Sequence, residues 1–546
     1  MQQNTLTTCG VVQNMSSIAL IITLLAIVTA LSAVAERVRI ATPIVLVLAG
    51  IAISLIPGLP SVALTPDVVI LVFLPPLIYA AAWNTSWADF KANFRPILLL
   101  ALGLVLFSTV GVAWVVHTFV PGFSWPLAFV MGATVSTTDP IAGTSIIKEM
   151  GLPRRVVVIL EAESLVNDAT GLIVYRYAVA AVATGQFVLI EAGEQFFLVI
   201  FGGILIGLAL AWIVKSIHQL TDDTPVVETT LTFLTPFAGY LIAEELHVSG
   251  VLAVLSSGLF LTLRSSEFLS RQAHLQTINV WNVVTFLLNS IVFVLMGLQL
   301  RQILLTNSGY SSGMLILYGI IVSLAVILAR FVWIFLVSFF TRLLKPNLPV
   351  HHPLINGKLL TVIGWTGMRG VLSLATALAL PLTLRNGSPF PQRDLIIFFT
   401  YCVIFSTLVL QGLALPYLIR WLNIQPDQRA RQDEIKLRVQ LAGTAIEHLE
   451  ANYSLSDEVS DETLARLKHK YEIRIDRLRL NDNVRRSKAH ESEVRETLRI
   501  QLEIIQVERD RATQLRREGN EDDEVLRTIL YELDLEESRL LMGSMR

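Results

Sequence analysis

Charge is scarce over most of this chain. Only 16% of its 546 residues are Asp, Glu, Lys or Arg, while 53% are hydrophobic, a balance far from that of soluble globular proteins and close to that of membrane proteins. The net charge is only −2, so neither nucleic acid nor an anionic surface is expected as the main partner. Cysteine is nearly missing. Cys9 and Cys402 lie far apart in the chain and belong to no metal-ligand or redox spacing, so both read as free thiols. No basic stretch precedes the first apolar run, Ser17 to Ala35, and the later runs are equally apolar. That run therefore reads as a retained helix rather than a cleaved signal peptide.

The charge that is present is unevenly placed. About 49 of the charged residues fall in the part from Gln425 to the end, so the chain reads as two materials joined near Asn423. A bilayer span needs about 20 apolar residues, and runs of that kind number about thirteen before the tail. They lie near 17–35, 40–57, 66–83, 97–120, 126–149, 155–184, 193–217, 226–246, 249–263, 279–300, 313–341, 359–383 and 394–422.

Arg37, Arg39, Lys91, Arg95, Lys148, Arg154, Arg155, Lys215, Arg264, Arg271, Arg342, Lys345 and Arg420 all follow odd-numbered runs. The alternate connections carry only Arg301, Arg385 and Arg393. The positive-inside rule then puts the N-terminus outside and the tail in the cytoplasm. Residues 1–424 are expected to form the membrane domain and 425–546 a soluble helical tail. In that tail Val494 to Ile505 shows helical apolar spacing, and Glu521-Asp522-Asp523-Glu524 reads as a helix start. The tail lacks the glycine patterns of a nucleotide-binding fold, and its partner is not evident from its residues.

Ionisable residues inside apolar spans are costly, and those that occur are usually paired, buried in the bundle or on an ion path. Asp139, Glu163, Asp168 and Arg369 are the principal examples. In Ala133-Thr-Val-Ser-Thr-Thr-Asp-Pro140, Pro140 removes a backbone donor, and Ser136, Thr137 and Thr138 can satisfy the freed carbonyls. This predicts a broken helix with Asp139 at the break.

The next run contains Glu161-Ala-Glu-Ser-Leu-Val-Asn-Asp168. Helical spacing sets Ser164 one turn from Asp168, and Glu163 one turn from Asn167. Carboxylate, hydroxyl and carbonyl oxygens suit a hard monovalent cation. At a partly desolvated Asp168 a proton and a cation would compete for one carboxylate, which is antiport in outline.

Gly364-Trp-Thr-Gly-Met-Arg-Gly370 predicts a second interrupted helix. Two interruptions in separate halves fit an inverted-repeat transporter whose ion site lies where the broken helices meet. Arg369 is the expected counter-charge of Glu163. Arg176 and Arg330 are expected to snorkel or pair locally, with no assigned role. Glu228, Glu244 and Glu245 read as solvated at the interface, and so does His117.

Taken together, the Thr138-Asp139-Pro140 break, the Glu163-Ser-Leu-Val-Asn-Asp168 stripe and the Gly-Met-Arg-Gly around Arg369 resemble the monovalent cation/proton antiporters of the bacterial sodium/proton exchanger branch. The resemblance spans the membrane region. It implies an all-α membrane protein with inverted repeats and two crossed broken helices. It also implies a homodimer of the plasma membrane that needs no cofactor and moves its ion site by an elevator-like shift.

At the matching positions the resemblance makes Asp168 the cation and proton carrier. Ser164 and the Thr138 region become further ligands, Asp139 a direct or water-mediated ligand, and Asn167 a tie on the break. Asn167 before this aspartate resembles the electroneutral members, implying one cation for one proton. Many relatives carry an acidic residue where this chain has Ala80, so a carboxylate near the cation route is missing here. Sodium is the expected ion, with potassium or lithium the nearest rivals. A cation channel is disfavoured by the lack of a filter-like loop, and an intramembrane aspartyl protease by the lack of Gly-x-Gly-Asp. A passive sensor would leave two broken helices unexplained.

Overall fold

The computed structural model describes residues 22–23, 25–35, 37–38, 40–56, 69–184, 189–220, 224–306, 311–344, 356–384, 387–424, 428–453, 460–482, 488–518 and 523–544. Cys9, Arg39, Lys345, Arg385, Gln425, Glu521 and Asp522 lie outside them. The chain divides into two compact units, Met1–Asp427 and Gln428–Arg546.

The first unit is helical. Its main helices are α1 Thr42–Ser54, α2 Leu74–Trp83, α3 Leu104–Phe119, α4 Trp125–Thr134, α5 Ile141–Glu149, α6 Arg154–Thr184, α7 Leu189–Leu220 and α8 Pro225–Glu245. They continue with α9 Gly250–Phe268, α10 Arg271–Leu298, α11 Ser312–Leu344, α12 Gly357–Trp365, α13 Val371–Leu378, α14 Arg393–Ile404 and α15 Gln411–Trp421. Among the described residues, seven helices are long and apolar enough to cross a membrane. Their outward faces remain apolar, as with Phe197, Phe201, Leu205 and Trp212 on α7 and Leu317, Leu324 and Leu328 on α11. Surface of this kind matches hydrocarbon rather than water.

Two predicted runs are each a pair of short helices separated by non-helical backbone: α4 and α5 around 135–140, and α12 and α13 around 366–370. Hydroxyls satisfy carbonyls that the first break releases: Ser136 Oγ donates to Ala133 O at 2.8 Å, and Thr134 Oγ1 to Val130 O at 2.8 Å. Thr366 Oγ1 does the same for Ile363 O at 3.1 Å in the second. Ala133 O also accepts from the backbone N of Ser136, and Ile363 O from a second side chain, so carbonyls at the breaks are satisfied in an apolar interior.

The breaks cross between two apolar clusters. Leu74, Met131, Val135, Leu172, Leu372 and Phe399 belong to one; Ile44, Ile147, Phe293, Ile363 and Met368 belong to the other. Helices α4 and α13 pack together at one end of the crossing, beside α14, while α5 and α12 pack on α15 at the other. Helix α6 runs past both breaks.

Glu228 differs from its expected solvated setting. It is 1% exposed, and its Oε2 accepts from the backbone N of Ser270 at 2.9 Å, at the start of α10. Glu244 is half-buried and pairs with Arg176 at 2.9 Å. His117 is half-buried, with its ring against Trp125 at 4.3 Å and its Nδ1 2.8 Å from Phe123 O. Cys402 is a half-buried free thiol.

The second unit holds α16 Gln428–Tyr453, α17 Asp461–Asp482, α18 Lys488–Glu518 and α19 Asp523–Ser544. Helices α16 and α17 pair, as do α18 and α19. The second pair buries Ile505, Ala512, Leu526 and Leu533, and Arg509 binds Asp534 at 2.7 Å and also Glu537. The Val494 to Ile505 stretch is helical throughout, and α19 begins within the acidic run, at Asp523.

Candidate ion site at the helix crossing

The two breaks touch through backbone. Asp139 N donates to Met368 O at 2.8 Å. The Asp139 carboxylate turns back to accept from Ile141 N at 2.9 Å, at the first residue of α5. Its other oxygen lies against Gly370, the residue before α13, where any Cβ would run into Asp139 Oδ2. Asp139 therefore faces the N-terminal ends of two half-helices, where aligned peptide dipoles favour negative charge.

The opposite ends carry guanidinium groups. Arg369 Nε donates to Val135 O, just past α4, at 3.0 Å, and its Nη1 donates to Gly367 O. Arg330 Nε donates to Ile363 O near the end of α12 at 3.1 Å. Carbonyls at a helix C-terminus are the negative end of the dipole, so each cation sits where it stabilises. The Arg369 backbone is fixed by Thr407 Oγ1, which accepts from its N at 3.0 Å.

Glu163 is not paired with Arg369. It is fully buried and forked by Arg330, with Nη1 to Oε1 at 2.5 Å and Nη2 to Oε2 at 3.0 Å. The expected pair is thus corrected: Arg369 lies within electrostatic reach of Glu163, but its Nε and Nη1 donate to the break carbonyls, and its buried Nη2 has no partner among the described residues. Arg330 is 1% exposed and does not snorkel. Its depth was the available signal. It stands 18 residues from the start of α11 and 14 from its end, about 20 Å or more from either end at 1.5 Å per residue. Desolvating such a pair is costly, the two-pronged geometry offsets much of that cost, and removal of one partner alone strands a buried charge.

Helix α6 ties itself to the first break with three polar contacts. Ser164 Oγ donates to Thr138 O at 2.8 Å, Asn167 Nδ2 donates to Thr138 Oγ1 at 2.5 Å, and Thr138 Oγ1 donates to Glu163 Oε1 at 3.3 Å. Gly171 permits this close approach, because a Cβ there would strike the Thr137 methyl. Thr137 Oγ1 and Ser373 Oγ share a hydrogen bond of 3.1 Å, joining the break to α13.

Asp168 stands apart from this network. Its side chain is half-buried, Asp139 lies within electrostatic reach, and no hydrogen bond or ion pair holds its carboxylate among the described residues. Thr138, Asp139, Pro140, Glu163, Ser164, Asn167, Asp168 and Arg369 are thus assembled around one crossing. Ala80 is buried on α2 and adds no carboxylate. Oxygen donors around a carboxylate without a counter-cation can accept one hard cation or one proton.

An all-α membrane protein with two crossed broken helices and an unpaired carboxylate beside them is a secondary ion transporter by class. The family model for the transmembrane sodium/hydrogen exchanger matches residues 21–421, and the chain belongs to that family. A protein named an uncharacterised Na+/H+ exchanger, from Mycobacterium bovis, is 33% identical over 538 residues, 96% of each chain. A Bacillus pumilus protein named as a sodium, potassium, lithium and rubidium/H+ antiporter is 34% identical, over 69% of this chain and 58% of that one. The solved sodium proton antiporter MjNhaP1 from Methanocaldococcus jannaschii shares the fold with a TM-score of 0.59 at 19% identity, covering 75% of this chain and 99% of that chain. The protein is accordingly a multi-pass cation/proton antiporter and not an enzyme.

Proposed function

We propose that the protein exchanges Na+ for H+, one for one and without net charge movement, with Asp168 as the shared carrier. The observation that carries this reading is the balance of charge at the crossing. Arg330 neutralises Glu163, while Arg369 and Asp139 compensate opposite helix ends. Of the carboxylates at the crossing, Asp168 remains without a hydrogen-bond or ion-pair partner among the described residues, and its neighbour in sequence is the neutral Asn167. One negative charge takes one Na+ or one H+, so both loaded forms are neutral and the membrane potential contributes no driving force. Ser164, Thr138 and Asp139 supply the further oxygens, and Pro140 and Asn167 maintain the break from which they project.

Potassium or lithium on the same carboxylate is the second reading, favoured by the name of the Bacillus pumilus relative, a sodium, potassium, lithium and rubidium/H+ antiporter. The distribution of basic residues supports an N-terminus outside and a cytoplasmic tail in the plasma membrane. The family resemblance supports a homodimer with an elevator-like shift.

The test is proton efflux from acid-loaded proteoliposomes of purified protein on addition of Na+ and then K+, with and without a voltage clamp. Na+-driven efflux that ignores voltage is the expected result. A preference for K+ would replace the ion, and voltage-dependent flux would overturn the one-for-one exchange.

A further inference from the structure

Access to the crossing is lopsided. Toward α5, Asp139, Pro140 and Ile141 are half-buried, and Ser145 and Lys148 are exposed. Toward α4, every residue from Val130 to Thr138 is buried. The basic residues place the α5 side inside, so the closed side is the outer one. Helix α6 shows what closes it. Leu172 and Tyr175 follow Asp168 at four and seven residues. Tyr175 therefore points within about 20° of the Asp168 direction, about 10 Å further out along the axis. Both are buried, at 8% and 7% exposure, in the cluster that also holds Leu380 and Phe399.

Two polar features accompany this plug. The Tyr175 hydroxyl is buried and has no hydrogen-bond partner among the described residues, a state that costs free energy and that hydration would relieve. Across from it, the outer end of α13 is held by Arg393, whose Nη2 donates to Leu378 O and whose Nε donates to Leu380 O, both at 3.0 Å. Arg393 lies within electrostatic reach of Tyr175.

We propose that Tyr175 is the positioning residue that gates the outer route to Asp168, its ring closing the route against the Arg393-held end of α13 and its unpartnered hydroxyl becoming hydrated when the route opens. This rests on the antiport reading, since a gate matters only to a site served alternately from two sides. The ring sets how rarely the outer side opens, and the hydroxyl lowers the cost of opening.

The test uses full-length protein in proteoliposomes, in a Cys9→Ser, Cys402→Ser background carrying Leu172→Cys as a reporter behind the ring. A membrane-impermeant thiol reagent is applied from the outer side. In the Tyr175→Ala variant the reporter should react about tenfold faster than with Tyr175 intact, as expected for a shift of the closed-to-open balance of that size. Tyr175→Phe should leave labelling as slow as the parent while lowering Na+-driven proton flux about threefold, because the open route loses a hydrated hydroxyl. Tyr175→Leu replaces the alanine variant if the latter is not monodisperse. Unchanged labelling in a folded variant with the ring removed overturns the gate, and unchanged flux in Tyr175→Phe overturns the role of the hydroxyl. The labelling requires no transport, so a chain that failed to exchange Na+ for H+ would fail the flux assay and still report on the gate.

Discussion

Among the described residues Asp168 has no counter-cation, and this determines what its replacement should do. Asp168→Asn keeps the shape and removes the charge, so the fold should persist while Na+-coupled proton flux falls by at least about 100-fold. Flux that survives in proteoliposomes would remove Asp168 from the carrier role. Competition for one carboxylate adds a pH signature. As protons occupy a growing share of Asp168, the apparent KM for Na+ should rise, approaching tenfold per pH unit where the protonated form dominates. A KM independent of pH over several units would mean separate sites for the two ions.

Glu163 and Arg330 call for a different experiment, because each is buried and bonded to the other at 2.5 Å. Glu163→Gln or Arg330→Met alone strands a charge and should cost about 3 to 5 kcal/mol, read as thermal stability in detergent. The double replacement should recover part of that loss. Equal loss from all three would mean that the pair contributes nothing jointly. The cost of a charge at membrane depth makes Glu163, Asp168 and Asp139 legible from sequence. Which cation faces Glu163 is not legible, because helical spacing gives the face of a residue and not the helix opposite it. Arg369 is the nearer candidate by motif, yet its Nε and Nη1 go to carbonyls of its own crossing. Glu228 illustrates the same gap, since its partner is a backbone amide 42 residues away.

At the scale of the element, both interruptions follow from local chemistry. Pro140 and the hydroxyl run before it end one helix, and the glycines around Arg369 end the other. Their crossing was inferred from the inverted-repeat pattern, and the geometry adds what no pattern carries: a hydrogen bond from Asp139 N to Met368 O, and a glycine at 370 because Asp139 occupies the space of its side chain. Gly370→Ala should displace the Asp139 carboxylate from the ends of α5 and α13, destabilise the fold by about 1 to 3 kcal/mol and slow transport. Gly443→Ala is the control. It lies within α16 with nothing close to its Cβ position and should stabilise that helix slightly. If Gly370→Ala transported as fast as the parent, the placement of Asp139 would not matter to exchange.

At the scale of the whole molecule, the transport fold closes before the tail begins. The family match ends at residue 421, a complete solved antiporter is covered by three quarters of this chain, and the second compact unit starts at Gln428. The residues assembled at the crossing, with those that hold them, lie between Val135 and Thr407, and among the described residues their polar contacts stay within the first unit. The tail has its own buried apolar residues and its own ion pairs, at Arg509 and at Lys468 with Glu450, so its removal should not open the core of the membrane unit. A chain ending at Asp427 should therefore keep Na+-driven proton flux, with the apparent KM for Na+ changed by no more than about twofold. Expression or the pH profile should be what changes, because a unit that contributes none of the residues assembled at the crossing can act on exchange by biasing the two states of the carrier. Loss of all flux from a truncated protein that remains monodisperse and thermally stable would make the tail a working part of the transport cycle.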